Sequence, residues 1–174
     1  MKKRVLIICF VITALFLIAA KVMIQKNTLS PSLTENVLVV GTSDDYPPYT
    51  FSQNGEVVGF DIDLVREIAR RMRCKIEIKV MSFDVLLLEL QRGSIKVIAA
   101  GLTPTQERAL KVFFSSPYII VDSLKPQSLA DVTEKYALAI SKKYPELFEK
   151  IESALTELLE DGTIDDLKRK WGLV

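Results

Sequence analysis

The chain has 174 residues, a formal net charge of +1 and a hydrophobic content of 49%, which is typical of one domain with a sizeable buried core. A nearly neutral charge gives no reason to propose nucleic acid or an anionic membrane surface as a partner. The sequence contains no histidine. The usual imidazole general base and the commonest transition-metal ligand are therefore missing, and no metal or other cofactor is expected.

Residues 1–24 have the pattern of an export segment. Basic residues precede an uncharged apolar run at residues 5–20, which is the order found in secretory signal peptides. A retained membrane anchor is the alternative, because the cleavage site is poor and the apolar run resumes up to Ile24, close to the length that spans a bilayer. Residues 25–35 are mostly polar and predict a linker, which leaves residues 36–174 as an exported domain.

The first part of this domain alternates strand-like and helix-like segments. The apolar run Val37–Val40 predicts a buried strand, and Asn54-Gly55 between two strand-like runs predicts a hairpin. The apolar positions of Asp61–Arg73 recur at spacings of three and four, which predicts an amphipathic helix. Alternation over Ile76–Val80 predicts a half-buried strand.

The alternation continues through the middle of the chain. Ser82 can cap a helix over Phe83–Arg92, and Ile95–Ala100 predicts the next strand. A helix that begins at Thr103 carries Arg108. Apart from the hairpin, strands thus alternate with helices, which is typical of an α/β domain.

Two helices are predicted near the C-terminus, over Glu146–Glu160 and Thr163–Lys170, with Thr163 as the cap of the second. Strands that alternate with helices imply a mostly parallel sheet flanked by helices. Ligands bind such sheets at the carboxyl ends of the strands. The segments expected at those ends are Gly41–Tyr46, Ser82–Phe83 and Gly101–Arg108.

Arg108 and Thr103 form a candidate site for a carboxylate, such as that of a free amino acid. A guanidinium binds a carboxylate through paired hydrogen bonds, and a helix N-terminus adds free N–H groups and the positive end of its dipole. Spacing alone leaves open that Arg108 is an ordinary surface arginine. Likewise, Asp44 and Asp45 either favour a cationic ligand or are turn residues.

Five segments occur in a fixed order: Gly41–Phe51, Gly59–Leu64, Ser82–Asp84, Gly101–Thr105 with Arg108, and Phe114–Tyr118. Together they resemble the first lobe of the polar-amino-acid-binding proteins of the extracellular solute-binding family 3. The resemblance implies one lobe of a type II periplasmic-binding-protein fold, with two C-terminal helices. It also implies a non-catalytic component of an ABC uptake system that binds an L-amino acid and works with a permease. Such a protein is located in the periplasm or on the outer face of the cytoplasmic membrane.

The resemblance implies a ligand-binding set of six residues: Ser43, Tyr46, Phe83, Gly101, Thr103 and Arg108. In the family, the matching arginine clamps the α-carboxylate of the ligand and the matching hydroxyl residue assists it. The two aromatic positions flank the ligand, where a ring can stack on an aliphatic or cationic side chain. Their rings could equally fill the core. The position of Ser43 lies near the ligand side chain.

One block of the family pattern is missing between Val121 and Tyr136, where a second lobe is normally inserted. That lobe closes over the ligand and supplies the anchor for its ammonium group, so residues 122–136 are expected to form a residual hinge of two neighbouring strands. An open half-site leaves a carboxylate–arginine pair in water, where it contributes about 0–1 kcal/mol. Weak binding is therefore expected, on the order of −4 kcal/mol or a millimolar Kd, with a basic amino acid such as arginine preferred.

Two other functions remain open at this point. Some relatives with this fold are dehydratases of cyclohexadienyl acids, but their catalytic groups need the missing lobe, so an enzyme is not expected. The lobe could instead serve as a membrane-anchored scaffold or interaction module. A chain that binds ligand should change its hydrogen-exchange protection when amino acids are added, and a scaffold should not.

Overall fold

The computed structural model of the protein describes residues 37–122 and 133–174. The predicted export segment or anchor, residues 1–24, and the linker, residues 25–35, lie outside the described residues, so both stay predictions. In the two described ranges, no helix is long and apolar enough to cross a membrane.

The described residues form ten strands and five helices, which confirms the predicted α/β class. The strands are β1 (Val37–Thr42), β2 (Asp45–Tyr46), β3 (Thr50–Gln53), β4 (Glu56–Val58), β5 (Lys75–Val80), β6 (Val97–Ile98), β7 (Val112–Phe114), β8 (Ile119–Asp122), β9 (Thr133–Tyr136) and β10 (Ala139–Ser141). The helices are α1 (Phe60–Arg71), α2 (Phe83–Arg92), α3 (Gln106–Lys111), α4 (Pro145–Glu160) and α5 (Thr163–Lys170). The hairpin predicted around Asn54-Gly55 is the β3–β4 pair.

The central sheet has five strands in the order β5-β1-β6-β10-β7. Strand β1 pairs in parallel with β5 and β6, whereas β10 pairs antiparallel with β6 and β7. The sheet is therefore mixed: four of its five strands share one direction, in line with the predicted mostly parallel sheet, but half of the pairings are antiparallel. The antiparallel pairings arise because β8 and β9 pair antiparallel and β9 is followed after two residues by β10, without the long crossover that a parallel pairing needs.

Apolar side chains cover both faces of this sheet. Leu38 and Val40 of β1 lie in a large cluster that also contains buried residues of α1, α4 and α5. Val39 points to the other face, where it packs against a smaller cluster built largely from α2 and β6. This alternation follows from the period of two in a strand. The sheet is therefore a layer between helices, as the sequence predicts.

Two segments in the middle of the chain are shorter than predicted. Helix α3 begins at Gln106 instead of Thr103, because Thr105 is its cap and accepts a hydrogen bond from the Arg108 backbone N–H through its hydroxyl at 3.2 Å. The strand expected over Ile95–Ala100 is reduced to β6. The short helix leaves the chain between β6 and α3 as a loop at the edge of the sheet.

The boundaries of the other helices agree closely with the sequence pattern. Helix α2 ends at Gly93, which has a φ of 88°, a conformation that glycine adopts without strain. Helix α5 covers the predicted residues, but Gly162 is its N-cap and Thr163, the predicted cap, is its first helical residue. The carboxylate of Asp161 accepts from the Thr163 backbone N–H at 3.0 Å, so the side chain of Asp161 satisfies the first turn.

Strands β8 and β9 form a separate two-stranded antiparallel sheet, in which Ile119 pairs with Tyr136 and Val121 pairs with Glu134. This is the side-by-side arrangement that the sequence predicts for the two strands flanking the missing block. Their role as a residual hinge stays a prediction.

Candidate functional site

The carboxyl ends of β1, β5 and β6 meet at one edge of the central sheet. The hydroxyl of Thr42, at the end of β1, donates to the Ala99 carbonyl at 2.6 Å. The Thr42 carbonyl in turn accepts from the Met81 N–H at 2.9 Å. Because Ala99 follows β6 and Met81 follows β5, these bonds hold the three strand ends together. The loops predicted to carry the site therefore start from one rigid edge.

Arg108 is held in place at this edge by two contacts. Its Nη1 donates to the Thr103 carbonyl at 2.9 Å, and its Cζ lies 5.9 Å from the centre of the Phe83 ring. The second distance is within the range of a cation–π interaction. A guanidinium has five N–H donors, so the bond to Thr103 leaves donors for a carboxylate. Arg108 contacts Thr103 through the backbone carbonyl of Thr103, and the predicted role of the Thr103 hydroxyl in holding the ligand carboxylate stays a prediction.

Gly101 allows a close approach between the same loop and Tyr46. Gly101 has a φ of +58°, and a Cβ at this position would lie 2.7 Å from Cε1 of Tyr46. A side chain here would therefore displace the ring. Since 42% of Tyr46 and 36% of Phe83 remain exposed, both rings present surface to solvent instead of filling the core.

The six predicted site residues are thus only partly brought together. Arg108 contacts Thr103 and Phe83. Gly101, two residues before Thr103 in the same loop, contacts Tyr46. Ser43 does not join the exposed surface. It is 2% exposed, and its hydroxyl lies 3.5 Å from that of Thr50. The ligand-binding role of all six stays a prediction.

Sequence reasoning missed Asp61, a carboxylate directly beneath this loop. Asp61 is fully buried at the start of α1. Its Oδ2 accepts from the Gly101 N–H at 2.6 Å and from the Tyr118 hydroxyl at 2.9 Å. It therefore ties the loop after β6 to the residue that precedes β8. The available signal was an acid between Phe60 and Ile62, which occupy buried positions in the same helical turn.

Burial changes the acidity of Asp61. Desolvation raises the pKa of its carboxyl to about 7, although the hydrogen bonds from Gly101 and Tyr118 act in the opposite direction. Within the described part of the chain, its other oxygen, Oδ1, has no hydrogen-bond partner. An unpaired buried oxygen makes the charged form costly, so ionisation of Asp61 should destabilise the folded state.

Sequence reasoning also missed the hydroxyl of Tyr136. It lies 2.7 Å from the Tyr46 hydroxyl and donates to Oε2 of Glu134 at 3.0 Å. The three rings of Tyr46, Tyr49 and Tyr136 pack against one another, with centroids 4.9–6.2 Å apart.

In residues 37–122 and 133–174, no group of three or more acidic or cysteine side chains could hold a metal ion.

Comparisons with known proteins place these features in context. Residues 38–174 match the family described as bacterial extracellular solute-binding proteins, family 3. A probable histidine-binding protein of Campylobacter jejuni is 34% identical over 125 residues, which are 71% of this chain and 49% of that protein. A probable arginine-binding protein of Chlamydia trachomatis, ArtJ, is 42% identical over 81 residues, 46% of this chain and 31% of that protein. The match thus spans half or less of each of these curated relatives.

One solved structure is similar to this chain over nearly the whole length of that structure. The arginine-bound form of domain 1 from TmArgBP has 42% sequence identity and a TM-score of 0.62, and the match covers 71% of this chain and 94% of that domain. Unlike the two curated relatives, it is therefore comparable in extent to the lobe described above.

Proposed function

We propose that this chain, which belongs to the bacterial extracellular solute-binding proteins of family 3, is an exported lobe that binds a free amino acid for an ABC uptake system, with a basic side chain preferred. Its expected partners are an L-amino acid and the permease of that system. Its expected location is the periplasm or the outer face of the cytoplasmic membrane. The relatives named above are described as binding proteins, which supports binding rather than catalysis.

The observation that carries this proposal is the position of Arg108. The Thr103 carbonyl and the Phe83 ring fix its guanidinium at the edge where the strand ends meet. A positive group held in one orientation loses little entropy when it binds a carboxylate. The exposed ring of Tyr46, which contacts Gly101 of the same loop, offers a surface for the rest of the ligand.

A single lobe is sufficient for weak binding. With no second lobe inserted between β8 and β9, a bound amino acid stays largely in contact with water. Exposed ion pairs contribute about 0–1 kcal/mol each, so we expect a Kd in the millimolar range, on the order of −4 kcal/mol. The arginine-bound form of domain 1 from TmArgBP supports the idea that one domain of such a protein can hold arginine.

Replacing Arg108 by alanine should weaken the binding of L-arginine by up to about fivefold, because an exposed charged partner of the carboxylate worth about 1 kcal/mol or less is removed. The test is a titration followed by NMR or calorimetry, with arginine, lysine, glutamine and glutamate. The protein is the full chain, expressed with its own export segment and purified from the host envelope in mild detergent.

Arg70→Ala is the matched control for this titration. Arg70 lies on α1, is largely exposed and pairs with Glu67, so its loss should leave ligand binding unchanged. Thermal unfolding of both variants should resemble that of the wild type. If the wild-type chain shows no response at high ligand concentration, the scaffold function is favoured. Equal binding by wild type and Arg108→Ala would remove Arg108 from the site.

A further inference from the structure

Strand β9 brings a carboxylate to the aromatic end of the candidate site. Glu134 and Tyr136 are two residues apart in this strand, so their side chains point to the same face. The Tyr136 hydroxyl donates to Oε2 of Glu134 at 3.0 Å and lies 2.7 Å from the Tyr46 hydroxyl. Glu134 is therefore connected to the exposed ring of Tyr46 through one intervening hydroxyl.

The direction of these hydrogen bonds is fixed by chemistry. An ionised carboxylate only accepts, so the Tyr136 proton points to Glu134. The Tyr136 oxygen then accepts the proton of Tyr46. Desolvation, followed by the bonds to Tyr46 and Glu134, raises the pKa of Tyr136, which keeps this hydroxyl neutral. The chain of donors thus ends in the negative charge of Glu134.

The two ends of the site carry opposite charges. Arg108 is bonded to Thr103, and Tyr46 touches Gly101. Those two loop residues are two positions apart, at most ~7 Å along the backbone. Tyr46 and Tyr136 then lie between Gly101 and the carboxylate of Glu134. A positive group and a negative group are thus connected through the Gly101–Thr103 loop and the aromatic residues Tyr46 and Tyr136.

This arrangement matches an amino acid whose side chain ends in a cation. We propose that Glu134 binds the side-chain cation of a bound basic amino acid while Arg108 binds its α-carboxylate. The inference rests on the proposed function and deepens it, because it names the group that selects a basic side chain. It also gives this lobe its own anion for the ligand, on a strand that flanks the missing block.

Other carboxylates near Tyr46 are less suited to this role. Asp45 precedes Tyr46 in β2, so its side chain points to the opposite face of that strand. Asp61 is buried, and its Oδ2 is engaged by the Gly101 N–H and the Tyr118 hydroxyl. The preference for a basic ligand is therefore better explained by Glu134 than by Asp45, one of the two aspartates to which the sequence attributes it.

The test compares L-arginine with L-citrulline, which has nearly the same shape but a neutral urea in place of the guanidinium. The wild-type full chain, prepared as above, should bind arginine about threefold to tenfold more tightly, as expected for a partly exposed charge pair. In Glu134→Gln the ratio of the citrulline Kd to the arginine Kd should fall to about 1. This variant keeps an oxygen to accept from Tyr136, so the ring positions are retained.

Glu160→Gln is the matched control, because it removes the same charge from the last residue of α4, on the side of the fold that packs against α1 and α5. It should keep the wild-type ratio. If Glu134→Gln also keeps that ratio while Arg108→Ala loses binding, the proposed function stands and the role of Glu134 is refuted. If the wild-type chain binds neither ligand, both are refuted. Thermal unfolding, unchanged in Glu134→Gln, shows that a lost ratio is not a loss of fold.

Discussion

Gly59→Ala is expected to destabilise the fold by about 4 kcal/mol or more, a large part of the roughly 5–15 kcal/mol that holds a domain together. Gly59 precedes α1 with φ 136° and ψ 175°, a conformation that is essentially restricted to glycine. A Cβ at this position would lie 2.1 Å from the Tyr49 carbonyl oxygen. That carbonyl cannot move freely, because it accepts from the Asp61 N–H at 3.0 Å. Urea unfolding measures the loss.

Gly162→Ala separates backbone strain from the steric clash. Gly162 also has a positive φ, +81°, but no heavy atom of the described residues lies within 4 Å of the place that a Cβ would occupy there. Strain alone should cost about 1–2 kcal/mol. Similar losses in the two variants would contradict the claim that the contact with Tyr49 makes Gly59 indispensable.

Asp61→Asn is expected to remove a pH dependence of stability between pH 5 and 8. Burial raises the pKa of Asp61 from 3.8 to about 7 in the folded state. Between these values the folded chain binds a proton that the unfolded chain does not, so the wild-type stability falls as pH rises through about 7. At about 1.36 kcal/mol per pH unit, the loss from pH 5 to pH 7 is about 2–3 kcal/mol.

The difference between variant and wild type isolates Asp61 from the other carboxylates. Hydrogen bonds from Thr163 and Arg71 lower the pKa of Asp161 to about 2, so this group is already ionised throughout the window. Asparagine retains one oxygen that can accept from both the Gly101 N–H and the Tyr118 hydroxyl, and its NH₂ group takes the place of the oxygen that has no hydrogen-bond partner. In urea unfolding, the free energy of unfolding of Asp61→Asn should increase relative to that of the wild type as pH rises from 5 to 7. The difference should become constant by pH 8. Parallel stability profiles would mean that Asp61 titrates normally.

Local sequence patterns predict most of the elements, because their causes are local. The apolar spacing of α1, the glycine that ends α2 and the Asn54-Gly55 turn each act through residues within a few positions. The start of α3 is harder to predict, since Thr103 and Thr105 are both good caps. The direction of β10 depends on the antiparallel pairing of β8 with β9, which is a property of the tertiary structure.

The site is less predictable than the fold. The contact between Arg108 and Phe83 follows from strand order, because both residues come from segments at the carboxyl ends of parallel strands. By contrast, Asp61 contacts Gly101, forty positions away, and Glu134 reaches Tyr46 only through the Tyr136 hydroxyl. Such contacts have no periodic signature in the sequence. They become visible only when separate elements are packed together.

Backbone amide NMR shifts, recorded while the ¹⁵N-labelled chain is titrated with L-arginine, test directly whether this edge of the sheet binds an amino acid. We expect saturable shifts at the loop from Gly101 to Thr103, at Phe83 and at Tyr46, with a Kd in the millimolar range, about −4 kcal/mol. These are the residues that Arg108 and its loop bring to one edge of the sheet. Shifts confined to α4 and α5, or no shifts at saturating arginine, would contradict the claim that this edge binds an amino acid.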